Sequence, residues 1–385
     1  MKYLNIEDTK LKDFGALYTA KEISGQPELW EKIFEKLLRE KDGISEFLDE
    51  ALLTSQKIML TGAGTSAYIG CSVEGLLQRN FGITTLSIPT THLVSHPQDY
   101  FEKARPTLMI SFARSGNSPE SMAAVSLADS HIDRCFHLII TCSEEGDLAN
   151  YKSKNKSLVF LLPPDSNDKS LAMTGSYSGM LLTALLIGNY KRLEGQRKIV
   201  QAIMDYGNNI LGNSVIDEIT KMASLDFKRA VFLGSGPLYG TAMESHLKLQ
   251  ELTDGEIVCK NDSYLGFRHG PKAVVDHTTL LIYYFSNKED VLRYETDLVV
   301  GMDVGKKPLG QIGMSVKSID KIQIDRSIAV GGGDSYDVPE EYLAVCFILF
   351  GQLLGFFKSL DLKLQPDSPS KSGAISRVVK GVIIY

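Results

Sequence analysis

Short apolar runs of β type alternate along the chain with amphipathic helical stretches. KIMLTG from Lys57, TTLSIPT from Thr84, TLMISF from Thr107, FHLIITC from Phe136 and SLVFLLPP from Ser157 predict strands. AYIGCSVEGLLQRN and SPESMAAVSLADS lie between them and predict helices, and the apolar stretch SGMLLTALLIGNY from Ser178 closes this half. Nearly continuous apolar strands separated by helices are the pattern of a parallel sheet covered on both faces.

The second half repeats the first. RAVFLGSGPLYGTAMESHLKLQEL from Arg229 has the layout of KIMLTGAGTSAYIGCSVEGLL: a strand, then G-x-G, then a helix. EIVCK, TTLLIYYFS and KSIDKIQID predict further strands, and 342–357, YLAVCFILFGQLLGFF, a helix. One unit used twice predicts two flavodoxin-like α/β domains, each a parallel sheet flanked by helices. The expected division is a helical segment at 1–40, a first domain at 41–207, a linker around 208–214, a second domain at 214–363 and a tail at 364–385. Trp30, the only tryptophan, is expected to pack on the first domain.

Charge and composition narrow the partners. With 43% apolar and 23% charged residues the chain is an ordinary globular one, and its net charge of −6 disfavours nucleic acid and anionic membranes, which attract a basic face. The 342–357 run falls short of the roughly 20 residues that span a bilayer. Glu340 and Glu341 precede it and Lys358 follows, as suits the dipole of a core helix. The start MKYLNIEDTKLKDF lacks the apolar core of a signal peptide. The five cysteines are scattered, with no C-x-x-C, so reduced thiols and a cytoplasmic location are expected. His92 and His96 have a spacing that can hold a metal, but Pro97 ends any helix there; they read as loop histidines, and no metal or cofactor is expected.

Two loops carry the chemistry. Gly62-Ala63-Gly64-Thr65-Ser66-Ala67 follows a strand and opens a helix, formally a dinucleotide fingerprint. The acid that should follow about 20 residues on, for a ribose hydroxyl, is missing after TTLSIPTTH. In the second half Asp262 stands near that place, but Pro237 removes an amide donor from the loop. A nicotinamide enzyme is therefore the weaker reading. The other loop, SFARSGNSPES, leaves the third strand and turns directly into a helix. Ser118 suits an N-cap and Pro119 the first helical position. A cap needs only one serine; the further hydroxyls of Ser115 and Ser121, the outward amides and Arg114 together suit a phosphate dianion.

G-x-G-T-S after one strand and R-S-G-N-S after another resemble the sugar isomerase (SIS) domain, and the resemblance runs from about Tyr18 across nearly the whole chain. Within the tandem-SIS group the sequence is similar to the isomerase half of glucosamine-6-phosphate synthase. Through DSYLGFRHGPKAVVD and SGAISRVVKGVIIY it is more similar still to AgaS-type galactosamine-6-phosphate deaminase/isomerases, also described as tagatose-6-phosphate ketose/aldose isomerases.

The resemblance implies roles. Thr65 and Ser66 would meet sugar hydroxyls. Arg114, through backbone or guanidinium, would grip phosphate with Ser115 and Ser118; Ala113 stands where the pattern usually has another serine. Thr174, in LAMTGSYS, would add a ligand contact. Glu244, Lys248 and Glu251 recur at i, i+4 and i+7 on one helical face. That pattern also describes a solvated charged stripe, but it matches the family's E-x-x-x-K-x-x-E. Glu251 would be the general base, held and tuned by Glu244 and Lys248. His269, in Arg268-His269-Gly270-Pro271, would open the sugar ring from the neighbouring subunit of a homodimer, near neutral pH where imidazole both takes and gives a proton. Lys380 would contact the open-chain sugar or else lie in solvent as a tail lysine. The activity implied is conversion of D-galactosamine 6-phosphate to D-tagatose 6-phosphate and ammonia, since the chain starts without the synthase's glutaminase domain. The alternatives are isomerisation of a neutral sugar phosphate and a non-catalytic phosphosugar sensor.

Overall fold

The computed structural model describes residues 1–332, 337–378 and 382–385. The chain forms two compact units that each draw on separate segments. One contains 28–168, 175–200 and 376–385; the other contains 1–27, 169–174 and 201–375.

The 28–168 unit is built on five parallel strands, β1 Lys57–Thr61, β2 Thr84–Ser87, β3 Thr107–Ala113, β4 Cys135–Thr141 and β5 Ser157–Leu161, in the order β2-β1-β3-β4-β5. β1, β3 and β4 are buried at every position, which is why they read as unbroken apolar runs. Helix α1 is Gln26–Thr54, of which this unit holds the part from Glu28; α2 is Thr65–Phe81, α3 Pro119–His131 and α4 Gly175–Ile187. Met59, Met109 and Ile139 of the sheet pack with Ala124 and Val125 of α3 in one core layer. All of α4 is buried, which explains its lack of a polar face. Trp30 is buried in this unit, and its Nε1 donates to Ser178 Oγ at 2.9 Å.

The 201–375 unit repeats the arrangement. Strands β6 Arg229–Leu233, β7 Val258–Asp262, β8 Thr279–Tyr284, β9 Gly310–Ser315 and β10 Arg326–Ala329 are parallel, in the order β7-β6-β8-β9-β10. Strand for strand this is the order of the first sheet. The principal helices are α5 Pro237–Leu252, α6 Glu289–Val300 and α7 Glu340–Asp361. Helix α7 is the one described helix long and apolar enough to cross a membrane, and it is buried along most of its length. The expected linker around 208–214 is a two-residue break between helices Arg197–Ile210 and Asn213–Ala223.

One strand assignment is corrected. KSIDKIQID is not a strand; the strands flank it as β9 and β10. Its isoleucines 319, 322 and 324 pack on the core from an irregular path, so alternation without a ladder produced the misreading. β9 itself, GQIGMS, carries two glycines and resembles a turn. A side chain at Gly313 would stand 2.6 Å from the Phe285 ring, so the strand needs a glycine there.

Candidate functional site

In the first sheet, β1 ends in Gly62-Ala63-Gly64 and enters α2. Gly64 has φ +55°, and a Cβ at Gly62 would lie 2.6 Å from Ser66, so the chain turns tightly enough to place Thr65 and Ser66 in the first helical turn. Both are buried. The neighbouring strand β3 ends at Ala113, and the loop to α3 follows. Ser118 caps α3, its Oγ accepting from Ser121 N at 3.3 Å and donating to Ser121 Oγ at 2.6 Å. Ser115 Oγ accepts from Asn117 N at 3.3 Å, and Gly116 takes φ +69°. Arg114 is buried, and its guanidinium donates to the carbonyl of Arg377 at 2.5 Å. The guanidinium is thus engaged with the C-terminal segment of the same unit. Of the two ways in which Arg114 could serve an anion, the backbone amide is the one this geometry favours.

Sequence reasoning missed three hydroxyls at this edge. Thr61 in β1, Ser111 in β3 and Thr90 after β2 are buried, and their side-chain oxygens have no hydrogen-bond partner among the described residues. Thr61 and Ser111 are directly paired across the β1–β3 ladder. Buried polar atoms without a protein partner are normally met by water or ligand, so this edge of the sheet is polar beneath the loops. In the sequence nothing marks them; the pairing register joins Thr61 to Ser111, and Thr90 stands at the start of the short helix Thr90–Ser95 that follows β2.

The second sheet differs at the equivalent place. Ser286, just past β8, donates its amide to Glu295 Oε2 at 2.8 Å, and Lys288 Nζ lies 3.0 Å from Glu340 Oε2. Where the first sheet offers a serine loop, the second meets its own amide with a carboxylate. Burial, reinforced by the charge of Glu340, raises Glu295 to about 7 despite hydrogen bonds from Ser286 and Ser235. Asp262, the acid placed for a ribose, accepts from Ser263 N at 2.9 Å and lies 3.1 Å from Lys260 Nζ. It is engaged within its own strand end.

Helix α5 carries the acid–lysine–acid face, which is not a solvated stripe. Glu244 and Lys248 are buried, while Glu251 keeps 24% of its side chain exposed. Lys248 Nζ lies 3.2 Å from Glu244 Oε1 and donates to Glu251 Oε2 at 2.5 Å. Burial works against the charge on Lys248, but the attraction of Glu244 and Glu251 outweighs it and raises its pKa. Lys248 therefore pins one oxygen of a partly exposed carboxylate. Helix α5 packs closely against α7. A Cβ at Gly351 would stand 2.4 Å from Ser245 Oγ, and one at Gly355 would stand 3.1 Å from the Lys248 carbonyl. Two glycines four residues apart let α7 lie close against the adjoining Ser245, Leu249 and Leu252 positions of α5.

His269 is exposed on the loop after the short helix Tyr264–Phe267; its amide donates to Gly266 O at 3.2 Å. The adjacent Arg268 pairs with Asp297 at 2.5 Å. Thr174 is buried, with its carbonyl accepting from Gln352 Nε2 at 3.4 Å. Lys380 lies outside the described residues. His92 stacks on Tyr100, and no group of three or more potential metal ligands occurs among the described residues.

No family model matches the chain. Full-length relatives do. The chain is 39% identical over 381 residues to the D-galactosamine-6-phosphate deaminase AgaS of Shewanella sp., covering 98% of this chain and 94% of that one. Its structure superposes with TM-score 0.95 and 40% identity on a Clostridium novyi protein provisionally named a tagatose-6-phosphate ketose/aldose isomerase, over 100% of this chain and 99% of that one. The tagatose-6-phosphate ketose/aldose isomerase of Escherichia coli matches with TM-score 0.83 and 32% identity, over 96% of each chain.

Proposed function

We propose that this chain, which belongs to the AgaS family of tandem-SIS proteins, converts D-galactosamine 6-phosphate to D-tagatose 6-phosphate and ammonia. The reading is carried by the Glu244–Lys248–Glu251 triad: a partly exposed carboxylate held by a buried cation is a group prepared to move a proton. His269 opens the pyranose. Glu251 takes the proton from C2 of the open-chain aldehyde, giving an enolamine. Return of a proton at C1 leaves an imine at C2. Water adds to that imine, ammonia departs with the C2–N bond, and the ketose remains.

The phosphate is assigned to the 115–118 loop, through the hydroxyls of Ser115 and Ser118 and the amides from Arg114 onward. The start of α3 adds its dipole. The equivalent loop of the second sheet already holds the Glu295 carboxylate, which supports giving the anion to the first. Thr65 and Ser66 are assigned to sugar hydroxyls, Thr174 to a further ligand contact, and Lys380 to the open-chain sugar. Phosphate held far from C1 and C2 orients the substrate without taking part in proton transfer. The protein acts as a cytoplasmic homodimer in which His269 serves the neighbouring subunit.

Isomerisation of a neutral ketose or aldose phosphate uses the same base without the imine step, and the names of the structural neighbours favour it as the second reading. A sensor that binds without turnover is the third. Glu251→Gln separates enzyme from sensor: turnover should fall by at least about a hundredfold, with phosphosugar binding retained by calorimetry. Undiminished turnover would remove Glu251 as the base.

A further inference from the structure

We infer that Asp129, acting through Tyr151, is a positioning residue for the 115–118 loop; the inference rests on the reading that this loop holds the substrate phosphate. Asp129 lies near the C-terminal end of α3, ten residues beyond the end that Ser118 caps. Its carboxylate accepts from His137 Nε2 at 2.9 Å, Tyr151 Oη at 2.8 Å, Ser153 Oγ at 2.8 Å and Asn155 Nδ2 at 2.8 Å. It is buried, as is His137 on β4. Burial alone would raise this carboxyl, but the hydrogen bonds, that of His137 foremost, hold it well below the usual range.

Stability alone does not select such a group. A negative charge in the last turn of a helix opposes the helix dipole, and a buried carboxylate is costly unless donors surround it. What three of the four donors, Tyr151, Ser153 and Asn155, accomplish is to fasten the segment after β4. That segment returns to the loop: Asp147 N donates to Asn117 Oδ1 at 2.9 Å, and Leu148 N to Gly116 O at 3.0 Å. A Cβ on Gly146 would stand 2.3 Å from the Ser115 carbonyl, so the two backbones are in direct contact there. The path closes on itself. The loop leads through α3 to Asp129, from Asp129 through Tyr151 to 146–148, and from there to Gly116 and Asn117. Both ends of the loop are thereby referred to one buried carboxylate, and the amides and hydroxyls that would face an anion are held without touching Asp129.

The test uses the full-length protein and inorganic phosphate as a competitive inhibitor. Tyr151→Phe removes one hydroxyl and keeps the ring in its packing. It should raise the phosphate Ki and the substrate KM by the same factor, about threefold to tenfold, with kcat within about twofold. Asp129→Asn should do the same more strongly, with a lower melting temperature. Ser115→Ala is the reference. If Ser115→Ala raises Ki and Tyr151→Phe leaves Ki and KM unchanged, the positioning role is overturned while the loop reading stands, whatever happens to melting. If neither variant changes Ki, the phosphate assignment falls and this inference falls with it.

Discussion

Glu295 is buried with one carboxylate oxygen on the Ser286 amide, and burial raises its pKa to about 7. Its sign is opposite to that of a salt-bridged acid. Between the ordinary carboxyl range and pH about 7, the folded chain holds a proton that the unfolded chain has lost. Stability from this group is therefore full at low pH and is lost as pH rises through that window. Glu295→Gln removes the slope, so the variant should gain on the wild type between pH about 5 and about 8 in urea melts. Parallel curves would contradict the assignment. At this scale the sequence was only partly legible. The spacing of Glu244, Lys248 and Glu251 pointed to one helical face, but spacing is equally that of a solvated stripe. Burial of Glu244 and Lys248 is a tertiary property of a helix whose close neighbour, α7, lies about a hundred residues away along the chain. Nothing local to Asp129 announces its four donors, three of which follow it by more than twenty residues.

Helices α5 and α7 approach through Gly351 and Gly355, which meet Ser245, Leu249 and Leu252. Gly351→Ala puts a methyl group where Ser245 stands, and the overpacking should cost about 1–3 kcal/mol. Chemical denaturation measures this, and a change below about 0.5 kcal/mol would mean that the helices separate freely. Most elements were legible because buried parallel strands are apolar throughout, as in Lys57–Thr61 and Thr107–Ala113. The failure at KSIDKIQID has a clear origin. Its isoleucines face a core, as strand residues would, but their backbone has no ladder, while the glycine-rich β9 has one. Periodicity reports which side chains are buried, not which backbones are paired.

The duplication was visible in the sequence as two strand–G-x-G–helix segments, and the two sheets share one strand order. The difference between them was not visible. One exit loop carries hydroxyls, and the other is met by a carboxylate from its own following helix. If His269 serves the neighbouring subunit, mixing Glu251→Gln with His269→Asn chains restores one working site per hybrid. About a quarter of wild-type activity should return after random reassortment of a two-fold dimer, where each variant alone is inactive. No recovery after subunit exchange would place His269 and Glu251 in the service of one chain's own site.

Deamination of a galacto amino-sugar phosphate releases ammonia, and ammonia release is the measurement to make. Galactosamine 6-phosphate and glucosamine 6-phosphate should be compared on purified protein, with ketose phosphate followed in parallel. Ammonia and ketose are expected in equal amounts from the galacto substrate, with little from its C4 epimer. Absence of ammonia from both, with turnover of tagatose 6-phosphate, would contradict deamination and establish the neutral-sugar isomerase instead.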